Sequence, residues 1–216
     1  MAATVVSSSQ ETPAAQGPER LRADERREHL LDVTRQLVVE QGPATITIGT
    51  VADRADVTRA LVYKHFDNKH DLLLEVYRRE AKRLDKQIRR IVEDAPPGLE
   101  PKLRAFIAAA IDATDEHAPF FTPLRDARTD PSVRRDRRGW DSRSVTYFSD
   151  LAVAEYDIDP AAARATVALL LAGVPAVLSR ARNRVDDRAA IEAVYVDAFI
   201  GAITGVASRS GQASAP

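Results

Sequence analysis

The sequence predicts an all-α protein: an N-terminal three-helix, helix-turn-helix head carried on a larger helical body. Three observations predict it. Apolar residues recur at helical spacing in one segment after another, with no convincing strand and no internal repeat. Two very short helical segments, 48–55 and 59–66, follow each other across a tight joint. The run Ala95-Pro96-Pro97-Gly98 forbids helix continuation and separates segments of different composition.

The chain has 216 residues and is 44% hydrophobic, enough for a real core in one large domain or a small one fused to a larger. Cysteine is absent, which excludes a disulfide framework, a thiolate metal site and a cysteine nucleophile, and fits a reducing cytoplasm. The net charge of -1 offers nucleic acid no global attraction, so DNA binding requires a local basic face. No basic segment precedes a long apolar one as in a secretory signal. The longest near-apolar stretch, Ala165–Leu178, falls short of the about 20 residues of a membrane span and reads as a buried helix. No membrane partner is expected.

Residues 1–19, rich in Ala, Ser, Gln and Pro, read as a disordered tail. The head follows at 20–68. Its first helix, Arg20–Gln41, carries Leu30, Val33, Leu37 and Val38 on one face and stops at Gly42-Pro43. The early arginines Arg20, Arg22, Arg26 and Arg27 alternate with Glu19, Asp24, Glu25 and Glu28. A solvated face with local ion pairs explains them; phosphate contact by Arg20, Arg22 or Arg26 is the alternative. Thr47 is placed to cap a second helix bearing Ile48, Val51, Ala52 and Ala55, Asp56-Val57 makes the joint, and Thr58 caps a third, Arg59–Phe66. Asp67-Asn68 then breaks the chain and caps the connecting helix, 69–92, whose stripe is Leu72, Leu73, Val76, Leu84, Ile88 and Ile91. Arg78, Arg79, Arg83, Arg89 and Arg90 on that helix read as a solvated face.

The body, 93–208, opens with a helix over Leu99–His117 bearing Leu103, Phe106, Ile107, Ala110 and Ile111. A short helix within Ala118–Asp130, a longer one over Pro131–Tyr156, a turn at Asp157–Pro160 and helices over Ala161–Arg182 and Asp187–Ala207 follow, before a flexible tail at 209–216. The last two helices are apolar on two stripes each, whereas one stripe suffices for a helix at the surface of a monomer. The second stripe needs a central place in the core or a subunit interface.

A helix-turn-helix lays its second helix in the DNA major groove. Arg59 and Lys64 suit base reading, since Arg can meet guanine O6 and N7 together, and Ala60 or Leu61 can touch a thymine methyl. Thr47, Thr58, Tyr63, His65 and Lys69 offer phosphate donors at the flanks, Lys69 with the help of a helix N-terminus; Val62 and Phe66 read as core.

The run V-A-D-R-A-D-V-T-R-A-L-V-Y-K-H-F-D-N-K-H-D-L-L, from Val51 to Leu73, resembles the DNA-binding signature of the tetracycline-repressor (TetR) family, I-A-x-x-A-G-V-S-x-G-x-L-Y-x-H-F-x-x-K-x-x-L. The agreement includes Tyr63, His65, Phe66 and Lys69. It departs at Asp56, where the family commonly has the turn glycine, and at Ala60, where a second glycine is usual. The resemblance implies a homodimer joined by a four-helix bundle across a two-fold axis, bound to a pseudo-palindromic operator and released from it by a small molecule. An activator or a ligand-independent regulator is the alternative.

Within that reading, Leu169, Ala172 and Ala176, with Ile191, Tyr195, Ala198 and Ala202, are the candidate dimer interface. The resemblance also implies an apolar ligand pocket in the body. Phe106, Phe120, Phe121, Leu124, Trp140, Tyr147 and Phe148 are its candidate lining, for which core packing is the plain alternative, and Arg143 and Ser144 are candidate polar fixers. The effector is expected to be largely apolar. Arg134, Arg135, Arg137 and Arg138 form a basic cluster that reads as a solvated helix start and would be the first suspects for an anionic ligand.

A metal-dependent HD-type phosphohydrolase would need His70-Asp71 joined by His29, His65 or His117. His65 and His70 are five residues apart, off a common helical face, with a helix break between them. No glycine-rich phosphate loop, nucleophile elbow or paired-carboxylate motif is present. No enzyme, metal or cofactor is expected.

Overall fold

The computed structural model describes residues 18–116, 131–183 and 187–213, with side chains over 22–113, 141–183 and 187–209. These form α1 (Pro18–Gln41), α2 (Ile48–Arg54), α3 (Arg59–His65), α4 (Lys69–Asp94), α5 (Leu99–Glu116), α6 (Pro131–Tyr156), α7 (Pro160–Leu171), α8 (Val174–Arg182) and α9 (Arg188–Ala213), with no strand among the described residues.

Local chemistry starts each head helix. The Thr47 hydroxyl accepts the Thr50 N–H at 3.0 Å while the Thr50 hydroxyl accepts the Thr47 N–H at 3.0 Å, a reciprocal capping box. Thr58 Oγ1 accepts from the Leu61 N–H at 3.3 Å, and Asn68 Oδ1 from the Asp71 N–H at 3.0 Å. A cap of this kind stabilises a helix by about 1 kcal/mol. The amphipathic faces then close one core, in which Leu30, Leu37 and Val38 of α1, Val51 of α2, Val62 of α3, Phe66, and Leu72 and Val76 of α4 are buried.

At 1.5 Å per residue the 26 residues of α4 span about 39 Å. Arg83, Arg89 and Arg90 are exposed, as a solvated face requires, whereas Arg78 and Arg79 depart from it. Glu80, only 4% exposed, accepts from Arg35 Nε at 2.8 Å and from Arg83 Nη1 at 2.9 Å. The Arg79 side chain, 13% exposed, reaches Glu28 at 2.9 Å and Asp32 at 2.8 Å. Glu75 takes Arg27 at 3.0 Å and Arg78 at 2.8 Å. The reason is tertiary: α1 runs alongside α4 and supplies the acids and bases that the α4 periodicity cannot reveal. Arg89, by contrast, pairs with Asp85 within its own helix and stays exposed.

α4 ends before the proline pair. Gly98 has φ +113°, a conformation L side chains rarely adopt. Lys102 of α5 donates to the carbonyls of Val92 at 2.9 Å, Glu93 at 3.3 Å and Ala95 at 3.2 Å, placing a cation on the negative end of α4. Glu155 of α6 accepts from the Leu99 N–H at 2.6 Å. The elbow between α4, the lever that carries the head, and the body is therefore tied from both sides. Behind it, Leu99, Leu103 and Ile107 of α5, Phe148 of α6, Val167 of α7, Val177 of α8, and Val196, Phe199 and Ile203 of α9 form the second core.

The structure corrects the last helices. The segment expected as one helix, Ala161–Arg182, is two, because Pro175 has no N–H to return to the Leu171 carbonyl and its ring crowds that turn. Gly173 N–H donates instead to the Leu170 carbonyl at 2.8 Å, which also accepts the Tyr195 hydroxyl at 2.5 Å. Nor is Ala165–Leu178 a buried helix: Val167 and Val177 are buried, but Leu169 is 77% exposed, and Ala168, Ala172 and Ala176 are exposed with it. By length and composition alone, Pro160–Arg182 and Arg188–Arg209 are each long and apolar enough to cross a membrane, more than the sequence count allowed once flanking residues are included. Finally α9 runs to Ala213 rather than ending at Ala207. The tail before Pro18, the helix expected within Ala118–Asp130, and His117 lie outside the described residues.

Candidate DNA-binding site

The joint between α2 and α3 is a Schellman motif. Val57 N–H returns to the Ala52 carbonyl at 3.0 Å and Asp56 N–H to the Asp53 carbonyl at 3.4 Å, with Asp56 in the left-handed region at φ +53°. Asp tolerates that region better than most residues, which is how the turn forms without glycine. The motif drops Val57 against the head core and points α3 across α2.

α3 is anchored by Val62, with Phe66 immediately after it, and presents its other side outward. Arg59, Ala60 and Lys64 are exposed, and so is Tyr63 at 56%, a large aromatic ring left in water. Leu61 and His65 are half-buried. Thr47 and Thr58 are exposed, and their hydroxyls serve as the helix caps. Lys69 Nζ donates to the Ala44 carbonyl at 3.2 Å, bracing the start of α4 against the loop before α2; two of its N–H donors remain for an anion.

The far end of α3 is electropositive. Burial, and then the charges of Lys64, Arg27 and Arg26, hold the His65 pKa below the ordinary histidine value. Arg26 and Arg27 of α1 thus contribute to the field beside α3. Arg27 is nonetheless structural, lying 5.1 Å over the Phe66 ring as well as pairing with Glu75. Arg22 and Arg26 are exposed; the Arg20 side chain lies outside the described residues.

His70-Asp71 has a structural explanation. The Asp71 carboxylate accepts from the Asp67 N–H at 3.2 Å, completing the N-terminal cap of α4. Among the described residues no three His, Cys, Asp or Glu side chains gather to hold a metal.

The body candidates divide. Phe106 and Phe148 meet edge to face with centroids 5.4 Å apart, and Tyr147 meets Phe148 at 5.3 Å. Phe148 is buried in the body core, Phe106 and Ser144 are half-buried, and Tyr147 is exposed. Arg143 is exposed and faces Asp85 of α4 at 3.6 Å, so it bridges body and lever. Phe120, Phe121 and Leu124, and the side chains of Trp140, Arg134, Arg135, Arg137 and Arg138, lie outside the described residues.

On the two apolar helices Leu169, Ala172, Ala176 and Ala198 are exposed, and Ile191 and Ala202 are half-buried. Tyr195 is half-buried, its hydroxyl turned inward to Leu170. Val194, 68% exposed and one turn before Ala198, belongs to the same face and is absent from the sequence candidates. Its i, i+4 spacing to Ala198 was the available signal. Thr50 was likewise missed, although Thr47 and Thr50 stand at capping-box spacing.

A helix-turn-helix head with a solvated second helix, set by a long helix on a helical body, has the geometry of a DNA-reading head. Residues 30–76 match the family model of the tetR family of bacterial regulatory proteins. The chain is 42% identical over 55 residues, 26% of each chain, to the HTH-type transcriptional regulator AcrR of Shigella flexneri. It is 38% identical over 74 residues, 34% of each chain, to the transcriptional repressor KstR of Mycobacterium tuberculosis. Similarity to the transcriptional activator FasR of Mycolicibacterium smegmatis is 29% over 116 residues, 53% of this chain and 52% of the relative. The matches thus span from a quarter to about half of these relatives. Over nearly the whole length the fold is that of a tetR-family regulator from Streptomyces coelicolor, with TM-score 0.62, 22% identity, and 89% and 90% of the two chains covered. A Rhodococcus protein of unknown function superposes with TM-score 0.68 at 21% identity, over 91% of this chain and 100% of the other. Residues 30–76 thus carry the DNA-binding region that the tetR-family model describes, and the chain as a whole shares the fold of these solved structures.

Proposed function

We propose that the chain is a homodimeric regulator that binds a pseudo-palindromic operator through α3 and represses transcription until a small, largely apolar molecule binds the body. The carrying observation is the division of α3: Val62 is buried, while Arg59, Ala60, Tyr63 and Lys64 are left clear on the outward side. No packing need in the head accounts for so many exposed large side chains on one turn-and-a-half of helix, whereas a major groove uses them directly.

The unpartnered face of Leu169, Ala172, Val194 and Ala198 supports the dimer, since burying a leucine or valine side chain contributes about 1.5 to 3 kcal/mol. A two-fold axis then places two α3 helices for half-sites about 34 Å apart or a multiple of it. Because α4 is clamped to α1 and tied at its other end by Lys102, a body conformation that shifts α4 carries the head with it. A ligand that prefers such a conformation lowers the population able to bind DNA.

Selection of bound duplexes from a random DNA library tests the reading: two inverted half-sites are expected, and no enrichment over the input would defeat it. Among the relatives KstR is a repressor and FasR an activator. Reporter expression from the selected operator, rising on deletion of the gene, supports repression; falling expression supports activation.

A further inference from the structure

Gly49 is the second residue of α2, and Arg59 is the first of α3. A Cβ built on Gly49 would lie 3.0 Å from Arg59 Nη2, 3.2 Å from Cζ and 3.3 Å from Nε. Three atoms of one guanidinium within 3.3 Å of a single point mean that the group covers the glycine broadside rather than grazing it with its tip. Gly49 is not in the left-handed region, so the backbone does not require glycine, and alanine is the better helix former there. What the missing side chain does is make room. Arg59 is exposed, so its N–H donors are open to solvent while the guanidinium lies against α2.

We infer that Gly49 is a specificity-determining residue: the space left by its absent side chain seats the Arg59 guanidinium against α2 and thereby selects which base edge Arg59 meets. The inference rests on the DNA-binding reading of α3. A methyl group at position 49 displaces the guanidinium from this seat, so its alignment with the preferred base is lost although Arg59 itself remains.

The test is a double-mutant cycle on full-length protein, with the duplex selected by the wild-type chain from a random library as probe. Arg59→Ala is expected to lose roughly tenfold or more on that duplex, in the range of a bidentate base contact. Gly49→Ala should lose a similar factor and select a different base at the position that Arg59→Ala also relaxes. The double variant should bind no worse than Arg59→Ala alone. Gly49→Ser serves as a second variant, and unchanged circular dichroism and melting confirm that each head is folded. Wild-type affinity for both Gly49 variants, or losses that multiply in the double variant, would overturn the inference. The second outcome would mean that DNA itself needs the space at Gly49. A wild-type chain that selects no sequence would overturn the DNA-binding reading and the inference with it.

Discussion

The Glu80 carboxylate of α4, 4% exposed, accepts from the Nε of Arg35 of α1 at 2.8 Å and is the buried centre of the contact between head and lever. Its second oxygen takes Arg83, and Arg79 beside it reaches Glu28 and Asp32. Paired charges at this depth hold a fixed register between two helices, since sliding either one would strand a desolvated charge.

Removing that centre should be costly. Glu80→Ala leaves Arg35 and Arg83 without their shared buried acceptor and, because both guanidiniums keep contact with solvent, is expected to lower stability by about 1.5 to 3 kcal/mol. Glu40→Ala, which breaks the exposed pair with Arg54, should leave the melt unchanged. Denaturant unfolding at one fixed protein concentration measures both, because the proposed dimerisation would make apparent stability concentration-dependent. Equal effects would show that the α1–α4 contact rests on its apolar residues alone.

The Schellman joint offers the opposite sign. Asp56 holds φ +53°, a region that costs an L residue about 1 to 2 kcal/mol and glycine little. Asp56→Gly should therefore raise the melting temperature of the chain and leave the selected DNA sequence as it was, whereas Asp56→Ala should lower it.

His65 predicts a proton linkage. Burial and the neighbouring Lys64 of α3 and Arg27 and Arg26 of α1 depress its pKa in the free protein. A depressed folded value means that the unfolded chain binds the proton more readily, so this histidine's contribution to stability is complete above about pH 6.5 and falls as the solution is acidified below it. A phosphate beside the ring would act in the opposite direction. Operator binding would then take up a proton, and affinity at fixed salt should increase from pH 7.5 to 6. Titration of His65→Gln by fluorescence anisotropy should show a flatter profile; an unchanged slope would remove His65 from the contacts.

Leu169 tests the assembly. Leu169→Glu puts a charge on the exposed apolar face of α7, outside the core of its own chain. Sedimentation should show a folded monomer with weakened operator binding. A variant that stays dimeric would place the interface elsewhere.

Much of the head was legible because its determinants are local. Thr47, Thr58 and Asn68 act on N–H groups three residues away, and the joint at Asp56-Val57 closes within six residues, so type and spacing suffice to read them. The body was less legible. Aromatics spaced along helices show that something packs around them, but whether Phe148 faces core or cavity depends on helices far away in the chain.

The sequence by itself determined an all-α chain, the three helix starts of the head, the break at Pro96-Pro97-Gly98 and the outward residues of α3. Only the tertiary structure decided that Arg78 and Arg79 serve a clamp rather than a solvated face, that Ala161–Arg182 divides in two, that Leu169 and Val194 lie bare, and that Arg59 rests on Gly49. The physical reason is range. Caps and turns are contacts between near neighbours in the chain, whereas ion pairs between α1 and α4 join residues 45 to 51 apart, and no periodicity records which helix another will lie against.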